Sequence, residues 1–278
     1  MKILSGREKA EQDLKQLKKE LDELNLNRPI KLAIIQVGDK MESNRYVEQK
    51  LKKAKEIGIE AKCFKFDENI TQKRLLLAMD EINENWDGIL IQLPLPRHLP
   101  KEVILDAVPY EKDIDGLSHR NEFILYNEKN SDDKFFVPAA ARAVLELIEH
   151  HEINYKKKKV AVVGRSHLVG KPVAHILKRR GASVSTFDEN TPIKLVASAD
   201  IVIVAIGVPK YIKAENIKQG AIIIDVGTNY DQNDPSVILG DVDHESVKTK
   251  ASAITPVPGG VGPLTVVCLL KNLVEIYK

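Results

Sequence analysis

Three short apolar runs constrain the fold of this 278-residue chain more than any other feature. They read KLAIIQV at Lys31–Val37, GILIQ at Gly88–Gln92 and KVAVV at Lys159–Val163. An uninterrupted apolar run of this kind is typical of a strand that is buried on both faces, as in a parallel sheet. Because parallel neighbours need a crossover connection, and because helical patterns separate the runs, the sequence predicts an α/β fold.

The first third of the chain alternates regularly between helical and strand patterns. Apolar residues recur every three or four positions in the helical segments. In chain order we predict a helix over 5–24, a strand over 31–37, a helix over 43–57, a strand over 59–66, a helix over 71–83 and a strand over 88–92. This order is an initial helix followed by a βαβαβ unit, which is typical of a parallel α/β sheet.

A second α/β series occupies the rest of the chain, with a helix predicted to bridge the two series near Phe136–Ala141. A chain of this length suggests roughly two domains, at about 150 residues for each domain. We predict strands near 159–163, 182–187, 200–206 and 221–226 and a final helix that runs to 278.

The charge balance and the cysteine count exclude several classes of protein. Lys and Arg number 42 and Asp and Glu number 40, a formal net charge of +2, without the basic excess of a dedicated nucleic-acid binder. The two cysteines, Cys63 and Cys268, are too few for a disulfide framework or a cysteine-rich metal site. The histidines show no ligand pattern, since the adjacent His150 and His151 point in different directions on a helix. No apolar run approaches the roughly 18 residues that span a bilayer, so we expect a cytoplasmic protein with no metal, membrane or nucleic-acid partner.

A glycine turn after the strand at 159–163 is the first candidate for a ligand site. The segment reads VAVVGRSHLVG, with Gly164 at the turn, Ser166 where a dinucleotide-binding motif usually has its second glycine, and Gly170 after it. Gly164 allows a tight turn, and the following helix N-terminus can face phosphate oxygens. The pattern favours a nucleotide site, and a purely structural α/β turn is the alternative.

Two acidic residues at the end of the next strand bear on the choice of nucleotide. Asp188 stands 24 residues after Gly164 and is followed by Glu189. A carboxylate at this place can accept hydrogen bonds from an adenosine ribose and repels a 2′-phosphate, which favours NAD. Arg165 favours the opposite choice, because an arginine near the turn can hold a 2′-phosphate. A solvated loop acid is the alternative interpretation of Asp188.

A lysine on the second predicted helix is a candidate for proton transfer. Tyr46 and Lys50 are four residues apart and share a helix face beside the apolar stripe of Val47 and Leu51. A lysine at the edge of a buried face can lose hydration and titrate at a lower pH, which suits acid–base chemistry. The lysines at 50, 52, 53 and 55 also fit an ordinary charged helix surface, and without further context that alternative is favoured.

Seven motifs taken together carry a resemblance to a known family. In chain order they are Ser43-x-x-Tyr46-Val47-x-x-Lys50, Gln92-Leu93-Pro94-Leu95-Pro96, Lys112-Asp113-Ile114-Asp115-Gly116, Gly164-Arg165-Ser166-x-x-Val169-Gly170-x-Pro172, Asp225-Val226-Gly227-x-Asn229, Gly240-Asp241-Val242 and Pro256-Val257-Pro258-Gly259-Gly260-Val261-Gly262-Pro263. This set resembles the bifunctional methylenetetrahydrofolate dehydrogenase/methenyltetrahydrofolate cyclohydrolase family over nearly the whole chain. The glycine turn is the least specific of the motifs.

The resemblance implies two reactions on one folate. A hydride leaves 5,10-methylenetetrahydrofolate for a nicotinamide, and water then opens the 5,10-methenyl cation to 10-formyltetrahydrofolate. Lys50 corresponds to the catalytic lysine that manages proton transfer in the hydrolytic step, and Gln92 to a residue that holds it in place. Tyr46 corresponds to a residue that lies against the folate ring system, and Asp115 to the carboxylate that binds the amino-pyrimidine edge.

The resemblance also implies the cofactor, the partner and the architecture. Pro258 and Gly259 would form part of the folate-side wall, Arg165 and Ser166 would bind cofactor phosphate or ribose, and Thr228 would approach the nicotinamide. The family's usual cofactor is NADP, and its members are homodimers through the nucleotide domain. We therefore expect an N-terminal parallel α/β domain over 1–137 with the final helix 260–278, a Rossmann-like NAD(P)-binding domain over 138–259, and a cleft between them.

Three departures from the family pattern leave alternatives open. A usual Pro-Cys-Thr-Pro segment is Pro138-Ala139-Ala140-Ala141 here, a usual serine is Glu189, and a usual isoleucine is Thr228. The first puts the folate contacts in doubt and the second weakens the assignment of NADP, so that NAD stays open. The alternatives in function are a monofunctional dehydrogenase with weak cyclohydrolase activity and a non-catalytic folate- or nucleotide-binding protein.

Overall fold

A computed structural model describes residues 1–127, 134–231, 234 and 236–278 of the chain. The first part contains, in order, β1 (Lys2–Ile3), α1 (Arg7–Glu23), β2 (Lys31–Val37), α2 (Met41–Glu56), β3 (Glu60–Phe66), α3 (Gln72–Asn85), β4 (Gly88–Ile91), α4 (Lys101–Asp106) and α5 (His119–Asn127). The second part contains α6 (Ala139–His150), β5 (Lys159–Val163), α7 (Gly170–Arg179), β6 (Ser183–Phe187), β7 (Ile201–Val204), β8 (Ile222–Asp225), β9 (Asn229–Tyr230), β10 (Ile238–Leu239), α8 (His244–Val247), β11 (Ala253–Ile254) and α9 (Val261–Glu275).

These elements form two compact units. The three-stranded unit comprises Gln12–Ala139 and Val266–Lys278, and the six-stranded unit comprises Met1–Glu11 and Ala140–Thr265. The expected domain ranges, with their division at 137/138, instead assign the first eleven residues to the N-terminal domain. That functional division of the chain stays a prediction.

The three-stranded unit is built on a parallel sheet with the strand order β3-β2-β4. Its central strand, β2, pairs Ile34 with Cys63 on one side and with Leu90 on the other. Residues 32–35 have no measurable exposure, as expected of a strand with neighbours on both edges and helices on its faces. The predicted βαβαβ alternation is therefore confirmed.

The six-stranded unit is a parallel sheet with the order β1-β11-β8-β7-β5-β6. The central strands β5 and β7 are almost completely buried, and the four strands predicted in this region are confirmed with slightly shorter ends. Strand β1 was not predicted, because two residues are too few to show a periodic pattern. Its residues Lys2 and Ile3 pair with Ala253 and Ile254 at one edge of the sheet.

No helix among the described residues is both long and apolar enough to cross a membrane.

Two glycines let the chain turn closely between β5 and α7. Gly164 has a φ of 110°, and a Cβ atom at this position would lie 2.1 Å from the carbonyl oxygen of Ala205. Gly170 begins α7, and a Cβ there would lie 1.9 Å from the carbonyl oxygen of Gly164. Because no side chain fits at either place, the start of α7 can approach the end of β5.

We expect Gly164→Ala to destabilise the protein far more than Gly181→Ala. Both glycines have a positive φ, but nothing lies within 4 Å of a Cβ at Gly181. Gly181→Ala therefore carries only the backbone strain of about 1–3 kcal/mol. Gly164→Ala adds a clash with a carbonyl oxygen and should lower the free energy of unfolding by roughly 3 kcal/mol more. Urea unfolding midpoints measure the difference, and equal midpoints would contradict the close approach.

Candidate active site

Lys50 and Gln92 meet within the three-stranded unit. Lys50 lies on α2, which follows β2, and Gln92 is the first residue after β4. The Lys50 Nζ donates a 2.8 Å hydrogen bond to Gln92 Oε1, while Gln92 Nε2 donates to the carbonyl oxygen of Leu93 at 2.8 Å. The second bond fixes the direction of the buried amide, so its oxygen faces the lysine.

Burial changes the proton affinity of this lysine and of a nearby carboxyl group. Removal from water lowers the pKa of Lys50, and the negative charge of Asp115 opposes part of that change. Burial likewise raises the pKa of Asp115 to about 7, with Lys50 lowering it and the Asp113 carboxylate raising it. Both shifts favour the uncharged forms of the two groups, which suits the pair to proton transfer.

A buried polar network supports the loop that carries Asp115. The Asp113 carboxylate accepts hydrogen bonds from the backbone N–H of Ser118 at 2.7 Å and from Asn121 Nδ2 at 3.0 Å. Asn121 Oδ1 in turn accepts from the backbone N–H of Phe136 at 3.0 Å. Because each buried polar group has a partner, the loop is held in one conformation.

Asn272 on α9 adds a second support for the same loop. Its Nδ2 donates to the carbonyl oxygen of Ile114 at 2.8 Å and to that of Val137 at 3.1 Å. The backbone N–H of Ala139, at the start of α6, donates to the Asp115 carboxylate. That contact needs no side chain, so the replacement of the family's Cys-Thr pair by alanines leaves it in place.

Tyr46 lies one helical turn before Lys50 on α2 and is half-buried. The three-stranded unit thus contains four of the predicted site residues: Tyr46, Lys50, Gln92 and Asp115. The resemblance linked these residues, whereas helical spacing alone related only Tyr46 to Lys50. This set of side chains can bind a folate-sized aromatic ligand and can transfer protons beside it.

The turn after β5 fits the phosphates of a dinucleotide. Neither Gly164 nor Gly170 carries a Cβ, and α7 begins at Gly170. Ser166 Oγ accepts from the backbone N–H of Val169 at 3.3 Å, which keeps the turn compact. In the first turn of α7 the Lys171 N–H donates to the carbonyl oxygen of Ser166 at 3.0 Å and Pro172 has no N–H, so the helix can act on phosphate oxygens mainly through the positive end of its dipole.

Arg165 and Asp188, whose charges favour different cofactors, form an ion pair. Arg165 Nη1 lies 2.5 Å from Asp188 Oδ2. Arg165 Nη2 also donates to the carbonyl oxygen of Thr186 at 2.9 Å. Glu189, the next residue, is exposed. The spacing predicted that both charged groups lie at the strand ends, but it did not predict their pairing.

Two buried carboxylates, for which the sequence predicts no role, organise the loops after β7 and β8. Asp241 accepts from the backbone N–H groups of Ile206 and Gly207 at 2.8 and 2.9 Å, and from Asn229 Nδ2 at 2.8 Å. Asp225 accepts from the backbone N–H of Asp241 at 3.0 Å. Buried acids that cap loops look like ordinary polar loop residues in a sequence, so only their place in two motifs could have identified them.

The remaining predicted site residues lie in the six-stranded unit. Thr228 is exposed after β8, Pro258 is exposed, and Gly259 is buried before α9. Within the described part of the chain, no three His, Cys, Asp or Glu side chains are grouped so as to hold a metal ion.

Comparisons with known proteins agree with this geometry. A model of the tetrahydrofolate dehydrogenase/cyclohydrolase catalytic domain matches residues 4–115, and a model of the NAD(P)-binding domain of the same family matches residues 138–278. The bifunctional protein FolD of Mycoplasmopsis synoviae (strain 53) is 99% identical over 278 residues, which are the whole of both chains. The bifunctional protein FolD of Mycoplasma mobile is 43% identical. The match covers 100% of this chain and 98% of that protein.

Solved structures give the same result. The bifunctional dehydrogenase/cyclohydrolase FolD of Campylobacter jejuni superposes with a TM-score of 0.93 at 37% identity, covering 100% of this chain and 98% of that one. The corresponding enzyme of Trypanosoma brucei, solved with NADP and an inhibitor, has a TM-score of 0.92 at 34% identity, covering 99% and 96%.

We expect Lys50 to titrate below the usual lysine range near 10.4, and Asp115→Asn to lower its pKa further. The asparagine removes the negative charge that raises the pKa of Lys50 but leaves the burial that lowers it. The measurement is an NMR titration of ¹³Cε-labelled lysine, with the Lys50 signal assigned by its loss in Lys50→Met.

Glu56→Gln is the matched control, because it removes an exposed carboxylate from the end of the same helix, where it pairs with Lys53. The Lys50 midpoint should stay unchanged in this control. A midpoint that rises or stays constant in Asp115→Asn contradicts the proposed coupling.

Proposed function

The chain belongs to the tetrahydrofolate dehydrogenase/cyclohydrolase family, and on that basis we propose how its residues carry out the two reactions. It is a bifunctional enzyme of one-carbon metabolism. It oxidises 5,10-methylenetetrahydrofolate to the 5,10-methenyl cation with NAD(P), and it hydrolyses that cation to 10-formyltetrahydrofolate. The observation that carries the assignment of roles is the partly buried Lys50–Gln92 hydrogen bond beside Asp115.

Lys50 is the proton acceptor of the hydrolytic step in this proposal. The methenyl substrate is a cation, so a neighbouring ammonium is unfavourable and a neutral amine is favoured. As the water oxygen bonds to the methenyl carbon, the neutral amine takes a proton from that water. The hydroxyl of this adduct then gives its proton to solvent as its C–O bond becomes the formyl carbonyl and the bond from the carbon to N5 breaks. The protonated Lys50 is the donor that can return its proton to N5. Gln92 is a positioning residue, because its oxygen holds the lysine by one N–H.

The remaining folate-side residues orient the substrate. An ionised Asp115 can accept two N–H bonds from the amino-pyrimidine edge of the pterin. Tyr46 offers an aromatic face one turn from Lys50, to which a flat ring system can stack. Pro258 and Gly259 contribute to the folate-side wall by family resemblance.

The six-stranded unit holds NAD(P). Gly164 and Gly170 let the start of α7 approach the end of β5, where the pyrophosphate would bind. Arg165, Ser166 and Thr228 are the residues that would contact phosphate, ribose and nicotinamide. When bound, NAD(P) accepts the hydride that leaves the methylene carbon of the folate. The protein's contribution is to bind and orient it.

The Ala139–Ala141 segment is the feature that favours a monofunctional dehydrogenase. The backbone N–H of Ala139 donates to Asp115, and the side chains of Ala139 and Ala141 are buried. The alanines that replace the family's usual residues therefore keep this contact and bring no polar side chain that would need a partner. Lys50, Gln92 and their hydrogen bond are present. These observations favour both activities over dehydrogenation alone.

Lys50→Met should abolish hydrolysis while dehydrogenation falls much less. Loss of a general base typically costs on the order of 100-fold to 10,000-fold in rate, and methionine fills similar space without a basic group. Hydrolysis is measured by the decay of methenyltetrahydrofolate absorbance, and dehydrogenation by the appearance of reduced nicotinamide.

Lys53→Met is the matched control on the same helix. The Lys53 side chain is exposed, and within the described part of the chain it pairs only with the surface residue Glu56. It should retain both activities. If Lys50→Met lost folate binding and both activities to the same extent, a non-catalytic binding role for this lysine would be favoured instead.

We further propose that two copies of the chain associate through the six-stranded unit. The support is the family resemblance together with β6, which ends the sheet and, among the described residues, has a neighbouring strand on one side only. Light scattering of the purified protein should then give twice the chain mass of 31.1 kDa. A single species with the mass of one chain contradicts the dimer.

A further inference from the structure

We infer that this protein uses NAD in preference to NADP, because Asp188 holds the side chain of Arg165 in an ion pair and so withdraws it from a 2′-phosphate. The inference rests on the proposed function, since it presumes that the six-stranded unit binds a nicotinamide dinucleotide. It goes beyond that function by assigning the cofactor choice to one pair of residues.

The pair lies where a dinucleotide-binding fold receives the adenosine ribose. Strands β5 and β6 are parallel neighbours, with Val163 opposite Phe187. Gly164 and Arg165 follow β5, and Asp188 directly follows β6. Ligands of open α/β sheets bind beyond the carboxyl ends of such strands, and an acid at the end of the second strand accepts the ribose hydroxyls.

All three nitrogens of the Arg165 guanidinium are already engaged. Nη1 lies 2.5 Å from Asp188 Oδ2, Nη2 donates to the carbonyl oxygen of Thr186 at 2.9 Å, and Nε donates to Thr186 Oγ1 at 3.2 Å. A phosphate is bound most strongly by two parallel N–H donors of one guanidinium. Nη2 also donates to Thr191 Oγ1 at 3.5 Å, so four of the five N–H groups are in use, and Arg165 would have to break at least one of its present bonds to offer a parallel pair.

Asp188 is held in place independently of the arginine. Its Oδ1 accepts from Thr191 Oγ1 at 2.6 Å and from the backbone N–H of Asn190 at 3.1 Å. The hydrogen bond from Thr191 and the charge of Arg165 lower the pKa of the Asp188 carboxyl group. The carboxylate is therefore ionised at neutral pH, where it repels a 2′-phosphate and can accept a hydrogen bond from a ribose hydroxyl.

Glu189 strengthens the same discrimination. It follows Asp188 directly and is exposed. The end of β6 thus carries two negative charges against the single positive charge of Arg165. A 2′-phosphate placed here meets an arginine whose charge is already compensated, whereas a ribose with free hydroxyls needs only acceptors.

The first experiment measures binding without any reaction. Isothermal titration of the full chain with ADP-ribose and with 2′-phospho-ADP-ribose compares two ligands that differ only in the 2′-phosphate and lack the nicotinamide. We expect the chain to bind ADP-ribose at least about tenfold more tightly, the equivalent of one charge-assisted contact. Initial rates with methylenetetrahydrofolate should likewise give a higher kcat/KM with NAD than with NADP.

Asp188→Asn tests the ion pair itself. The amide oxygen keeps an acceptor for Thr191 and Asn190, but the negative charge is gone, so Arg165 becomes available. We expect binding of 2′-phospho-ADP-ribose to improve by about tenfold or more. Adding Arg165→Gln to Asp188→Asn should remove this gain. Asp188→Ser, a smaller residue at the same partly exposed position, gives a second test of the same shift.

Glu149→Gln is the matched control. It also removes the carboxylate partner of an arginine in the six-stranded unit, since Glu149 Oε1 lies 2.7 Å from Arg180 Nη1, and both side chains are exposed. Arg180 follows α7, before β6 begins, and therefore lies at the opposite end of the strands from Asp188. The ratio of the two affinities should not change in this variant.

The possible results separate the inference from the function on which it rests. Tighter binding of 2′-phospho-ADP-ribose by the unmodified chain overturns the inference while leaving the dehydrogenase assignment intact. A preference for ADP-ribose that Asp188→Asn and Asp188→Ser change no more than Glu149→Gln overturns the role of Asp188. Failure to bind either ligand, together with failure to reduce either cofactor, overturns the proposed function itself.

Discussion

A lysine side chain taken out of water is stable only if its surroundings replace the lost hydration or let it lose its charge, and the three-stranded unit is arranged around this constraint. Lys50 has one neutral acceptor, Gln92, and one nearby carboxyl group, Asp115. Neither partner fully compensates for burial, so the pKa of Lys50 falls and that of Asp115 rises. A site in which burial favours the uncharged forms of both groups can move a proton to or from water beside a cationic substrate.

Such a site needs rigid support, because a small displacement of Asp115 would change both its charge state and its contact with a ligand. The support comes from polar groups that are themselves buried and paired. Asp113, Asn121 and Asn272 together bind the backbone of the loop at several points. Asp225 and Asp241 hold the loops of the six-stranded unit in the same way. In both units, buried carboxylates accept hydrogen bonds from the backbone of loops that lie next to predicted site residues.

The sequence predicted the parts of the structure that repeat or that are buried uniformly. The strands β2 and β5 could be located almost to the residue, because a run such as KLAIIQV or KVAVV fits little else. Contacts between distant residues could not be predicted in this way. Lys50 and Gln92 are 42 positions apart, and nothing in the local pattern of α2 distinguishes Lys50 from the exposed lysines beside it. Only the joint occurrence of several motifs identified Lys50, and no pattern indicated that Arg165 and Asp188 neutralise each other.

Asp115 and Asp188 show why burial decides what a charged residue can do. Each has a cationic neighbour, Lys50 or Arg165, yet the pKa of Asp115 is raised and that of Asp188 is lowered. Asp115 has lost much of its hydration, and a single lysine does not replace it, so this carboxyl group is suited to changes of charge. Asp188 keeps its contact with solvent and gains hydrogen bonds, so its charge is constant over the neutral range. Proton transfer requires a group that can change its charge, as Asp115 can. Discrimination between two cofactors requires a charge that stays constant, as that of Asp188 does, because the choice of cofactor would otherwise depend on pH.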